Sequence, residues 1–423
     1  MSANRFDLVI YGVTGYTGQY ILKKLLESKY NGVSIAVAGR NEKKMKEVLE
    51  RVGKDTGKDL SNTPVIIADT SDVATLGAMA AQAKVLINAV GPYRLHGEAV
   101  VEAAVGNGAS YVDIAGEPAF IEKMAAVYGE KAKENGLYLV SACGWDSIPC
   151  DLGMNFLKKH YEGDIAYTES FVQSRSGPAG YTINDGTYQT LILGIANMRK
   201  DKLGENRKKL MPTKLPKSVH APPHRRFIFY DENTKLWALP FMGSDKSIVV
   251  RSQYHDYVNN HVKPVVLNTY FGVSSLLRAV LTVFLFAIFG VLCQFEITRK
   301  WLQNNTDTAT FGVFSKNGPT KEQVDGAGFT YWFVSKGWDS KKPVDEEHQL
   351  APNKTIIARC DGPDMGYVAT SGCVLASALT ILEDQSNLPK DGGVYTSAAA
   401  FANTKVYERL EEFGITFKID KVQ

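Results

Sequence analysis

The chain has 423 residues, a formal net charge of +3, 44% hydrophobic and 22% charged residues. That length exceeds one ordinary domain, the composition excludes a disordered protein, and the near-balanced charge gives no footprint for a nucleic-acid partner. Five cysteines (Cys143, Cys150, Cys293, Cys360, Cys373) are scattered without C-x-x-C spacing, which argues against a disulfide frame or a zinc site and for a reducing compartment. The opening MSANRFDLVIYG runs straight into an apolar stretch, unlike a secretory signal with its basic region and cleavage site.

Six short apolar runs follow one another in the first 150 residues: 6–12, 33–39, 64–69, 85–91, 111–116 and 137–144. Each is nearly continuous, as in strands buried on both faces of a parallel sheet. Amphipathic stretches such as 41–53 and 118–136 separate them, the latter with Pro118 in its first turn and Gly136 beyond its end. The alternation predicts an α/β domain over 1–150 with a doubly wound parallel sheet.

The first run ends in GVTGYTG, placing Gly12, Gly15 and Gly18 where a strand gives way to a helix. A tight turn, close approach of a diphosphate and close helix-strand packing each call for a residue without a Cβ. The helix start offers free N–H groups to the phosphates, and Thr14 and Thr17 add hydroxyls. This predicts dinucleotide binding. The second run ends in Ala38-Gly39-Arg40-Asn41 with no acid to hold a ribose 2′-hydroxyl. Arg40 can meet a 2′-phosphate bidentately, which favours NADP(H), with NAD(H) as the alternative. Asp69, after the third run, suits a place near the adenine or caps a helix starting at Ser71. The fourth run ends in Asn88-Ala89-Val90-Gly91-Pro92-Tyr93, with His96 beyond, on the nicotinamide side expected of central strand ends. Tyr93 and His96 are the candidates for proton handling; packing and backbone bonding are their alternative roles.

After Pro149 candidate strands at 165–174, 227–230, 247–253, 309–314, 329–335 and 355–360 predict an α+β domain over 151–360. Residues 199–226 are basic and read as an exposed loop. The last part, 361–423, reads as helices, with GGVYTSAAAF at 392–401.

Residues 264–295 carry one charge, Arg278. Within this stretch the 17 residues from Ala279 to Phe295 carry no charge and lie at the lower edge of what spans a bilayer. Three readings are open: a buried core helix, a single span, or a hairpin or in-plane segment inserted in one leaflet or a lipid-droplet surface, with a break at Gly272–Ser275. Lys263, Arg299, Lys300 and the basic stretch are the cations available to headgroups.

Together GVTGYTG, VAGRN, NAVGPYRLHGEAVVEAAVGNGASYVDIAGE and CGWDSIPCDLG resemble the saccharopine dehydrogenase-like oxidoreductases, a group that also holds trans-acting enoyl reductases. The resemblance is strongest over 6–153, with echoes in INDGT, LPF and GGVYT. It implies a Rossmann domain, an inserted α+β domain and a C-terminal return to the first domain. Its Asp-Ser-Ile-Pro run falls on Asp146, Ser147, Ile148 and Pro149, implying a place for Asp146 and Ser147 in the substrate cleft; Ser147 equally suits a helix cap. Asp113, Glu117 and Asp146 are candidates for a carboxylate cluster. The reading is an NADP(H)-dependent oxidoreductase of a hydrophobic, lipidic substrate, intracellular at a membrane or lipid-droplet surface, with no metal and a homodimer as the expected assembly. The alternatives are a saccharopine-type amino-acid reductase, for which Arg94, Arg175, Arg251 and Arg359 would bind carboxylates, and a cofactor-binding lipid-surface protein without turnover.

Overall fold

The computed structural model describes residues 5–216 and 218–423; the opening MSAN and Lys217 of the basic stretch lie outside the described residues. The six apolar runs become six strands: β1 (Phe6–Tyr11), β2 (Ile35–Gly39), β3 (Val65–Ile67), β4 (Ala83–Asn88), β5 (Ser110–Asp113) and β6 (Tyr138–Val140). Then come β7 (Ile165–Arg175), β8 (Ile183–Asn184), β9 (Phe229–Asp231), β10 (Leu236–Pro240), β11 (Val266–Val273), β12 (Phe314–Ser315), β13 (Gly328–Gly337), β14 (Lys354–Pro363), β15 (Gly393–Tyr395) and β16 (Thr416–Val422).

The first sheet has the order β15-β6-β5-β4-β1-β2-β3, with every pair parallel. Strand order reverses at β1, which opens a crevice at the carboxyl ends of β1 and β4. Successive residues face opposite layers, as the period of two demands. Leu8 and Ile10 join one buried cluster with Val37, Val85 and Ile87, while Val9 and Tyr11 join a second with Ala36, Ala38 and Leu86. Helix Thr370–Glu383, from the C-terminal part, packs beside helix Tyr16–Glu27 over β4 and β5. It covers the half of that face which the crossover helices after β4 and β5 leave bare.

The second sheet runs β16-β14-β13-β7-β11-β10-β9, antiparallel except for β7 with β11. Helix Ile148–His160 lies on it closely enough that a Cβ at Gly153 would stand 2.2 Å from Phe333 Cζ. The C-terminal part thus divides: β15 extends the first sheet and β16 the second.

Several expectations are corrected. The run 247–253 is not a strand but part of helix Asp245–Asn260, whose buried residues Ile248, Val249, Ser252 and Gln253 recur at helical spacing. Within 309–314 only Phe314 enters a strand, the two-residue β12. The basic stretch is not a free loop. It contains helix Leu203–Leu210, and two of its cations pair inward, Arg207 with Glu122 at 3.0 Å and Arg225 with Glu169 at 2.8 Å. The apolar stretch divides too. Its first arm is β11, a strand paired with β7 and β10, so no two-armed hairpin forms. Its second arm, helix Leu276–Gln294, is only 11% buried, which removes the core-helix reading. Lys263 is held by Asp164 at 3.4 Å, away from any headgroup role.

Candidate functional site

The glycine turn is built as its spacing requires. Gly12 has φ +94°, a left-handed conformation that disfavours side chains, and a Cβ there would stand 2.8 Å from Val90 Cγ2. Gly15 N–H donates to the Gly12 carbonyl at 2.9 Å, closing the turn. A Cβ at Gly18 would stand 2.2 Å from the Gly12 oxygen, so the helix meets the strand end at a distance only glycine permits. Gly15 is the N-cap of helix Tyr16–Glu27 and brings no capping side chain, leaving first-turn N–H groups open to an anion. Thr14 and Thr17 are half-buried beside it. This is a cradle that a Cβ would fill, and it fits a dinucleotide diphosphate.

Arg40 is exposed just past β2 and has no ion pair among the described residues. Asp69, after β3, accepts from the Ser71 N–H at 2.9 Å and from the Ser71 hydroxyl at 2.7 Å. These bonds hold its carboxyl below the usual carboxylate range. The cap of the following helix is Asp72, not Asp69: its side chain accepts from Ala74 and Thr75, and the helix starts at Val73.

The residues after β4 are tied into the fold. Asn88 accepts from Val90 N–H at 3.0 Å and donates to the Tyr111 hydroxyl at 3.0 Å. Gly91 is exposed, and Pro92 is the N-cap position of helix Tyr93–Gly106. Tyr93 does not face the crevice. It is 6% exposed, its hydroxyl donates to the Asn88 carbonyl at 2.8 Å and accepts from Ile114 N–H at 3.3 Å. Burial raises its pKa well above the usual tyrosine value, and its hydroxyl proton is committed to the Asn88 carbonyl. His96 pairs through Nδ1 with the Thr70 hydroxyl at 3.2 Å. Thr70 follows the edge strand β3, so the imidazole lies on the adenine side of the turn and not on the nicotinamide side.

The three carboxylates do not cluster. Asp113 ties the ends of β5 and β6, accepting from Ala115 N–H at 3.0 Å and Ala142 N–H at 2.8 Å. Glu117 caps helix Tyr93–Gly106 from outside, accepting from Tyr93 N–H at 2.7 Å and Arg94 N–H at 3.2 Å, as an anion at a helix start does. Burial pushes both carboxyls up.

Asp146 follows β6; like Asp113, whose Oδ2 is buried without a partner, it keeps one unpartnered oxygen, but it meets the second domain. It sits between two glycines: a Cβ at Gly116 would stand 3.0 Å from its Oδ2, and one at Gly243 would stand 2.2 Å from its Oδ1. Ser244 of the second domain donates its hydroxyl to the Asp146 carbonyl at 2.7 Å and reaches Oδ2 at 3.2 Å. Oδ1 is shut off from solvent and has no partner. Burial pushes this carboxyl up to about 7. Ser147 occupies the N-cap position of helix Ile148–His160 without a capping bond; its hydroxyl meets that of Ser244 at 2.9 Å instead.

Asp245, Tyr331 and Trp145 complete this junction, and sequence reasoning missed all three as site residues. Asp245 is fully buried, accepts from the Tyr331 hydroxyl at 3.0 Å, and leaves Oδ1 unpartnered. Burial, with Asp146 as a neighbouring charge, raises it well above the carboxylate range. The Trp145 ring packs edge-on to Phe329 at 5.8 Å, and its buried Nε1 has no partner. The Ser-Asp pair before a helix at 244–245 was the available signal.

The arginines proposed for a dicarboxylate substrate are dispersed. Arg94 holds Asp201 bidentately at 3.1 and 3.0 Å. Arg175 bonds Thr330 and the Phe329 carbonyl. Arg359 holds Asp361 at 2.6 Å, and Arg251 lies in the field of Glu122 and Asp151.

Comparison with known proteins agrees with this architecture. The family model of the saccharopine dehydrogenase NADP binding domain matches residues 8–140. The chain is 50% identical over 420 residues to the lipid droplet localized protein of Caenorhabditis elegans, covering 99% of each. It is 38% identical over 423 residues to the human saccharopine dehydrogenase-like oxidoreductase, covering 98% of this chain and 97% of that one. Among solved structures, apo saccharopine dehydrogenase (L-Glu forming) from Saccharomyces cerevisiae shares the fold, with a TM-score of 0.51 at 13% identity, covering 98% of this chain and 99% of that one. A glycine cradle at the first strand-helix junction, an N-terminal NADP-binding domain and full-length likeness to these relatives together make this chain a member of the saccharopine dehydrogenase-like oxidoreductase family.

Proposed function

We propose that the protein is an NADP(H)-dependent oxidoreductase working at a lipid-droplet or membrane surface on a hydrophobic substrate. The observation that carries the reading is that a dinucleotide cradle shares a chain with a helix, Leu276–Gln294, whose apolar side chains face outward. Val280, Leu281, Phe284, Leu285 and Ile288 are all exposed, while Ala279 and Cys293 turn inward. One side of the helix leans on helix Asp185–Asn197, with Phe289 stacked on Tyr188 at 5.6 Å. A helix supported along one side and apolar along the other suits insertion in the plane of one leaflet. The name of the Caenorhabditis elegans relative, a lipid droplet localized protein, supports the same address.

Gly12, Gly15 and Gly18 with Thr14 and Thr17 would hold the diphosphate, Arg40 the 2′-phosphate, and Asp69 and His96 the adenosine side. The nicotinamide, when bound, supplies or accepts the hydride. Asp146 is the proton-handling group: a neutral carboxyl held between Gly116 and Gly243 keeps a proton at the domain junction. It gives that proton to the carbonyl oxygen or α-carbon of a reduced substrate and is left as the carboxylate. The dispersed arginines weigh against an amino-acid substrate.

The test is a fluorescence titration of the full chain with NADPH and NADH, beside Arg40→Ala. NADPH should bind more tightly, and the variant should lose about tenfold of that preference, as expected when a charge-assisted contact is removed. NADPH oxidation is then followed with long-chain enones and aldehydes on phospholipid-coated oil droplets. Tight NADPH binding without turnover on any of them would favour the cofactor-binding role; binding of neither nucleotide at millimolar concentration would overturn the oxidoreductase reading.

A further inference from the structure

Beyond Gln294 the chain continues to expose apolar side chains that the predicted stretch did not include. Ile297 is 85% exposed and Phe311 is 89% exposed, with Trp301 and Val313 exposed between and beside them. Phe311 has φ +52°, a left-handed conformation that bulky side chains rarely adopt, and Gly312 follows at φ +78°. The turn is over-determined. The Thr310 hydroxyl donates to the Thr306 carbonyl at 2.8 Å and accepts from Phe314 N–H at 3.0 Å, and Gly312 N–H donates to the Asp307 carbonyl at 2.9 Å. A strained backbone is thus held so that an aromatic ring stands in the open.

We propose that this turn, Thr310–Val313, is a second lipid-contacting finger that seats the chain, together with Leu276–Gln294, on a phospholipid monolayer. The proposal rests on the lipid-surface reading above. Three observations choose this occupant over a second copy of the chain. The apolar residues project singly from a turn and a short helix, which suits a fluid acyl layer better than a packed protein face. Between residues 276 and 318 the cations Arg278, Arg299, Lys300 and Lys316 stand against two acids, Glu296 and Asp307, a balance that suits headgroup phosphates. The finger is also continuous with the apolar helix: Phe314 and Ala309 pack in the same small core as Phe289, Leu292 and Cys293.

The finger is tied to the crevice. Val313 accepts from Ile183 N–H at 2.8 Å, and β12 pairs with β8. The next residue, Asn184, donates its N–H to the Tyr367 hydroxyl at 2.7 Å, and the Tyr367 ring lies 4.5 Å from that of Tyr16 in the glycine turn. A finger resting in the monolayer is thus joined through Ile183, Asn184 and Tyr367 to the glycine turn.

The experiment uses the full chain floated with trioleoylglycerol droplets coated in phosphatidylcholine. Phe311→Asp should lower the bound fraction about tenfold without lowering the thermal unfolding temperature, since the side chain is 89% exposed and Asp tolerates the left-handed backbone better than Phe. All five native cysteines are buried, so Phe311→Cys takes an environment-sensitive dye at one place, and its emission should move to that of an apolar medium when droplets are added. Wild-type binding by Phe311→Asp, while Phe284→Asp fails to float, would overturn the finger and leave the lipid reading standing. No flotation of the wild type would overturn the lipid reading itself. A dimer that Phe311→Asp converts to monomers would show the finger to be a protein contact and overturn the proposal.

Discussion

Among the described residues two helices are each 19 residues long and apolar enough to cross a bilayer, Leu276–Gln294 and Met365–Glu383, yet the first is 11% buried and the second 72%. The difference lies in what each one meets. Met365–Glu383 is rich in small residues, among them Gly372, Cys373, Ala376, Ser377 and Ala378, all buried. Small side chains let it settle against helix Tyr16–Glu27 and the open half of the first sheet; a Cβ at Gly372 would stand 2.5 Å from Phe413 Cβ. Leu276–Gln294 is mainly Leu, Val, Ile and Phe, and it leaves most of these side chains exposed. Apolar length alone does not assign a helix to core or lipid. The shape of its side chains, and whether the fold has a bare face for it, do.

That contrast can be broken most sharply by charge. Leu379→Asp puts a carboxylate where exposure is zero. With no partner for the charge, the loss should exceed ~4 kcal/mol, and folded protein should not accumulate on expression. Leu285→Asp, on the exposed helix, should fold as the wild type in lipid-free buffer and lose flotation with droplets. Equal damage from both would mean that the outer helix is also a core element.

The next effect concerns burial that is tolerated because it serves a site. Asp146 has a folded pKa of about 7 against the ordinary 3.8. The folded state therefore keeps a proton that the unfolded state gives up. Stability from this group is fully present below about pH 4 and falls as pH rises to about 7. Asp146→Asn removes the dependence, so the variant should be more stable than the wild type at pH 8, by up to ~4 kcal/mol, and the advantage should vanish near pH 4. Denaturant unfolding across that range reads it; Asp245, also raised by burial, leaves a residual slope. The same variant should lose turnover while keeping NADPH affinity. A flat pH profile in the wild type would remove the neutral carboxyl from the mechanism.

The smallest test trims one methylene from each helix. Ile381→Val, in the buried helix, should cost about 0.5–1.5 kcal/mol, seen as a lower denaturation midpoint. Ile288→Val, on the exposed helix, should leave the midpoint unchanged within ~0.5 kcal/mol. A matching loss at both would show that the outer helix packs as tightly as the inner one.

Much of the first domain was readable because its signals are local. Buried parallel strands are continuous apolar runs, and the glycine turn carries its reason in its spacing, which Gly12 and Gly18 bear out in distances of a few ångströms. The second domain was harder. SIVVRSQ reads as a strand because Ile248, Val249 and Val250 are β-branched, yet only one side of it is buried and the segment winds as a helix. Strand β11 was read into the apolar stretch because the apolar tail after it masked its alternation. In the site, Asp146 was found through its run of neighbours, while Ser244, which bonds it, and the Asp245–Tyr331 pair come from distant parts of the chain. Tyr93 stood at the right place in sequence, but its ring turned inward to bond Asn88 and Ile114.

The sequence by itself determined the doubly wound sheet, the phosphate cradle, the absence of an acid after β2 and the existence of an outlying apolar stretch, since each follows from residue type and spacing along a few turns of chain. Tertiary structure decided which apolar helix is core and which is surface, which carboxyl meets the second domain and which cap or tie, and that Phe311 stands outward on a strained turn. Those outcomes depend on desolvation and on partners supplied from remote segments, and neither quantity exists until the chain has folded.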